Sequence, residues 1–137
     1  MFRRDPANRQ ERGTTAVELS LLMPVLAVLI IGTIDLGRGV WIRNSLHHVA
    51  GEAVRRAAVA SSTSETPHTE STIAAWVKEE LPHLDEESFT IVTSWTPNSR
   101  PGSEVSVSLV YNFDPITPFL PFDSITLSSA ARSVISY

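Results

Sequence analysis

From Thr14 to Ile34 the chain reads TTAVELSLLMPVLAVLIIGTI, 21 residues with a single charge, Glu18. The run is apolar on every helical face, and about 20 such residues cross the hydrocarbon core of a bilayer as one helix. A buried helix of a soluble protein is the weaker reading, because arginines flank the run. A cleaved secretory signal is weaker too. Its apolar core is shorter, roughly 7–15 residues, and ends at a small-residue site that does not follow here.

Charge placement orients this helix. Arg3, Arg4, Arg9 and Arg12 stand against Asp5 and Glu11, a net +2 before Thr14, which leaves −6 for residues 14–137 of an overall −4. A basic start and an acidic remainder give the single span an orientation, with the N-terminus in the cytoplasm and the rest outside. An acidic chain does not suit nucleic acid, whose phosphates need a basic surface. There is no cysteine, so neither disulfides nor a thiolate metal site enter the argument.

Four parts follow from the pattern. Residues 1–13, MFRRDPANRQERG, form a basic leader that Pro6, Asn8 and Gly13 make a poor helix. Residues 14–36 form the membrane helix. Residues 37–61 continue it outside, with Leu46, Val49, Ala50, Ala53, Ala57 and Ala60 on one stripe. The helix would reach about 70 Å from Thr14 to Ser61. Asp35 can pair with Arg38, and Glu52 with Arg55 or Arg56, one turn apart.

Residues 62–137 form a small α+β domain. Thr69 caps a short helix that runs to Leu81, with Ile73, Ala74, Val77 and Leu81 on its apolar side, and Pro82 stops it. Period-two alternation then marks three strands. Phe89, Ile91 and Trp95 share one face of the first. Val105, Val107, Leu109, Tyr111 and Phe113 share one face of the second, and Ile125, Leu127, Ala131 and Ile135 one face of the third. The expected fold is α+β: a long helix and a short helix packed on a three-stranded antiparallel sheet.

Most other candidate sites fall away. His47 and His48 are adjacent, so a helix points them about 100° apart rather than at one metal. His83, Asp85, Glu86 and Glu87 read as a solvated acidic loop. No nucleophile–base arrangement and no phosphate-binding glycine loop stands out, so neither an enzyme nor a cofactor is expected. The segment DPITPFLPF, residues 114–122, either closes the core or forms a contact patch, and core closure is favoured.

The stretch RQERGTTAVELSLLMPVL carries the functional signal. Its basic leader ends at Gly13, Glu18 is the fifth residue after it, and Pro24 interrupts the apolar run. In this the chain resembles the prepilins, and more narrowly the TadE-like pseudopilins of the Tad (Flp) pilus system. The likeness is specific over Arg12 to Leu36 and weaker over Glu104 to Ile135.

That resemblance implies a pilin-like fold in a bacterial inner membrane, a prepilin peptidase cutting between Gly13 and Thr14, and other pilins or pseudopilins as partners. It also implies a role for Glu18 as partner of the new Thr14 amine on a neighbouring pilin. An ionisable group in a membrane helix persists where it has a partner. The plainer alternative is that Glu18 is solvated at headgroup depth. Pro24 removes one backbone donor and leaves the Ser20 carbonyl without its ladder bond, which a membrane helix tolerates as a kink or local melting. It is either a device for leaving the bilayer or an incidental membrane proline. The expected function is structural, as a processed pseudopilin or minor pilin in Tad/Flp pilus assembly. The alternative is an uncleaved single-span anchor carrying an extracytoplasmic binding module.

Overall fold

The computed structural model describes the backbone of residues 7–59, 68–117 and 124–135, and side chains from Thr14 onward. Helix α1, Ala7–Val59, is 53 residues long. At 1.5 Å per residue it extends about 80 Å. It is longer at its start than expected, because Ala7 to Gly13 are helical rather than an irregular leader. Asn8 and Gly13 lower helix propensity by at most about 1 kcal/mol each, too little to stop a helix from growing backward out of a strong apolar run.

Two halves of α1 differ in packing. From Thr14 to Ile30 every residue is exposed. From Asp35 onward the helix buries a stripe through Ile42, Leu46, Val49, Ala50, Ala53, Val54, Ala57 and Ala58. Spacings of three and four keep these side chains on one face. Four alanines in that stripe leave room for the helix to lie close to the sheet. The expected stripe is confirmed as far as Ala57; Ala60 lies outside the described residues.

Helix α2, Glu70–Glu80, starts at Thr69 as expected. The Thr72 N–H donates to Thr69 Oγ1 at 3.4 Å, and the Thr69 N–H donates to Thr72 Oγ1 at 2.8 Å. This reciprocal pair is a capping box, with threonine in the place usually taken by glutamate or glutamine. Ile73 and Val77 are fully covered, and Leu81 is buried at the C-cap. The Arg56 guanidinium lies 4.1 Å from the Trp76 ring centroid and links α1 to α2.

A 3-10 turn at Glu86–Ser88 leads into the sheet. Strands β1, Phe89–Thr96, β2, Glu104–Phe113, and β3, Ile125–Val134, form an antiparallel meander in the order β1-β2-β3. Opposite Leu109 stand Ile91 on one side and Ser129 on the other. Central β2 buries Val105, Val107 and Leu109 completely. Their inward alternation is what the sequence pattern predicts, and a turn joins β1 to β2. There Gly102 sits at φ +87, a conformation suited to glycine. Its N–H donates to the Ile135 carbonyl at 2.9 Å, and the Ile135 N–H returns a bond to Ser103 at 2.9 Å. The end of β3 is thereby tied to the turn.

The architecture is α+β: one long helix, one short helix and a three-stranded antiparallel sheet. One position on the inner face of β1 differs from the pattern. Thr93 is its most buried residue, and its hydroxyl has no hydrogen-bond partner among the described residues. A β-branched side chain fits the pleat opposite Val107, so shape outweighs polarity there.

Candidate functional site

The N-terminal positions all lie on α1. Gly13 and Thr14 are helical, so a protease that needs extended backbone must first unwind the initial turns of this helix. Terminal turns fray, and a glycine lowers the cost of opening them by about 1 kcal/mol. Glu18 is exposed one turn beyond Thr14, on the same helical face. It makes no ion pair or hydrogen bond with the described residues. Pro24 lies inside the helix. Because it has no N–H, the Ser20 carbonyl lacks its usual donor.

The apolar half has the marks of a bilayer span. One stretch of α1 is long and apolar enough to cross a membrane, and none of its most apolar window is buried by the fold. Its two side-chain hydroxyls beyond Glu18 are satisfied within the helix. Ser20 Oγ donates to the Val17 carbonyl at 2.7 Å, and Thr33 Oγ1 to the Leu29 carbonyl at 2.8 Å. Lipid supplies no partners, so internal satisfaction is what such a helix requires.

The most highly connected polar group lies where this span meets the sheet domain. Asp35 is 5% exposed. One carboxylate oxygen accepts from the Ile116 N–H at 3.0 Å and from Arg38 at 3.1 Å. The other accepts from the Thr117 N–H at 2.7 Å and the Thr117 hydroxyl at 2.5 Å. Four donors converge on one carboxylate, three of them from the chain that follows β2. The expected Asp35–Arg38 pair is present, but it is the lesser part of the cluster. Arg38 also stands over the Phe113 ring at 5.1 Å. Glu52 pairs with both Arg55 and Arg56 at 3.7 Å.

In segment 114–122, the described part is held by Asp35 through Ile116 and Thr117. Ile116 itself is exposed and Thr117 is buried. Phe119, Leu120 and Phe122 lie outside the described residues. His47 Nδ1 is 3.3 Å from Ser129 Oγ, which places it against β3. His83 stacks on Trp41 with ring centroids 4.4 Å apart. Glu86 pairs with Lys78 at 2.7 Å. Among the described residues, no three His, Asp or Glu side chains converge as metal ligands.

A candidate bilayer span that continues into a small α+β domain is consistent with a single-pass membrane anchor carrying one folded head. Residues 13–55 match the family model described as TadE-like protein. The match starts at Gly13, stays within α1 and leaves the sheet outside it. It supports membership of the TadE-like family and suggests a Tad pilus-associated protein. Neither the comparison with curated proteins nor that with solved structures finds a match.

Proposed function

We propose that the chain is a pseudopilin or minor pilin of a Tad/Flp pilus, processed by a prepilin peptidase between Gly13 and Thr14 and structural rather than catalytic. The observation that carries this reading is the family match that begins at Gly13, together with Glu18 five residues on. Residues 1–13 are the leader, 14–36 the membrane segment, 37–61 its extension and 62–137 the extracytoplasmic domain. The leader arginines keep the N-terminus in the cytoplasm. Cleavage removes them and creates an amine at Thr14. Glu18 is the carboxylate that the amine of a neighbouring pilin meets, and Pro24 is the point where the helix yields as it leaves the bilayer. The family match does not reach the sheet domain, which is where this chain's own partners would be selected.

Assembly in a Tad-competent cell tests the proposal. Deleting the gene should abolish or strongly reduce surface pili. The wild-type chain should restore them, and Glu18→Ala should insert and be cut yet restore them poorly. Undiminished pili in the deletion strain would remove the assembly role.

A further inference from the structure

A cleft of about 330 Å³ lies beside α1 where the membrane segment meets the head. Gly32, Leu36 and Val40 line its helix side, and Phe113, Ile125 and Leu127 its sheet side. Arg43 closes the end farthest from the membrane, and it also borders a second, polar hollow with Asn44, His47, Ser128 and Ser129. Asp35 also lines the cleft, with its carboxylate taken up by Arg38, Ile116 and Thr117. Polarity therefore changes along the cleft wall of α1: Gly32, Leu36, Gly39 and Val40 are apolar, and the surface from Arg43 to His47 is cationic and polar.

Glycines keep the apolar part open. A methyl group at Gly32 would meet nothing within 4 Å, and one at Gly39 would only reach Phe113 at 3.9 Å. Arg43 has no carboxylate or hydrogen-bond partner among the described residues, whereas Arg38, Arg55, Arg56 and Arg132 are each ion-paired.

The depth of this cleft follows from helix length. A hydrocarbon core of about 30 Å that begins between Thr14 and Leu19 ends between Ile34 and Gly39. Leu36 and Val40 then sit at the outer boundary, and Arg43 extends from headgroup height. The order of surfaces matches a lipid of the outer leaflet, with acyl chain below and phosphate above.

We propose that this cleft seats one phospholipid of the outer leaflet, its acyl chain between α1 and β3 and its phosphate on Arg43. The inference rests on the membrane-span reading of α1. Its occupant is fixed by two things. The cleft is continuous with the span's lipid-facing surface, and Arg43, the one cation lining it that is unpaired among the described residues, stands at phosphate height. A lipid held there would brace the head against the bilayer until the chain leaves it.

Native mass spectrometry of the full chain, extracted in mild detergent with added phosphatidylglycerol, tests this. Wild type should retain one phospholipid per chain. Gly32→Leu, whose Cβ meets nothing within 4 Å and whose longer side chain projects toward the cleft, should lose it. Arg43→Gln should weaken retention about fivefold, the effect of one cation at a membrane surface. Arg55→Gln, on an exposed and distant side chain, should leave retention unchanged. Equal retention in all four proteins would overturn the proposal. So would a Val40→Cys chain that crosslinks to a second copy in the membrane, because a protein helix would then occupy the cleft. Carbonate extraction separates the two levels. A chain released by carbonate refutes the span itself, whereas a chain that stays embedded but retains no lipid refutes only the cleft.

Discussion

Asp35 and Thr117 are 82 positions apart in sequence, yet the Asp35 carboxylate accepts both the backbone N–H and the hydroxyl of Thr117. This contact fastens the chain after β2 to the long helix at the point where the helix stops being bare and starts to be packed. The exposed apolar half of α1 and the head are thus joined by a buried, fully hydrogen-bonded carboxylate rather than by a loose linker. Asp35→Ala leaves two backbone donors and a hydroxyl without their acceptor, so it should lower the thermal unfolding midpoint of the full chain in detergent. Thr117→Val removes one of the four bonds and should cost less, about 1 kcal/mol. Near-UV circular dichroism through the melt reads both. An unchanged midpoint in Asp35→Ala would show that the fastening is incidental.

The two halves of α1 should respond oppositely to truncation. Leu46 is 0% exposed and Leu22 is 63% exposed. Leu46→Ala opens a cavity under the sheet and should destabilise the head by about 2–5 kcal/mol. Leu22→Ala removes no contact with the head and should shift its stability by less than about 0.5 kcal/mol. Denaturant unfolding of both variants in detergent is the comparison to make.

Helix α2 depends on its cap. Thr69→Ala removes the side chain that accepts the Thr72 N–H and should cost about 1 kcal/mol. Thr69→Asp restores an acceptor at the same place and should recover most of that loss. Equilibrium unfolding midpoints of the two variants give the answer.

Much of this fold was legible because its faces differ. In β2, Val105, Val107 and Leu109 alternate with Ser106 and Ser108, so period two can be read directly, and the structure buries the three apolar residues. Thr69 and Pro82 bracket α2 by local chemistry alone. Four features were not legible, each for its own reason. The Asp35–Thr117 contact is long-range, and local spacing offered Asp35 only Arg38. Thr93 looks polar, so the pattern of β1 passes over the most buried residue on its inner face. The first helical turns before Thr14 were masked by Asn8 and Gly13, whose propensities are weak against propagation from the apolar run. The cleft beside α1 was equally invisible, because Val40 and Leu127 come to line one hollow only once the sheet is laid against the helix.

Pro24 should matter for assembly and not for insertion. Pro24→Ala restores the backbone donor to the Ser20 carbonyl and stiffens the helix. Membrane fractionation should be unchanged, while the amount of chain recovered in sheared pili should change. Equal recovery would make Pro24 an incidental membrane proline.

The central claim is that α1 is delivered with a leader that is later removed. Intact-mass and N-terminal mass spectrometry of the chain recovered from membranes and from sheared pili tests it most directly. The account predicts a mature chain beginning at Thr14 in assembled material, and accumulation of the full-length chain when the peptidase is absent. Assembled chain that still begins at Met1, or at any residue of the segment before Thr14, would contradict it and leave an uncleaved membrane anchor in its place.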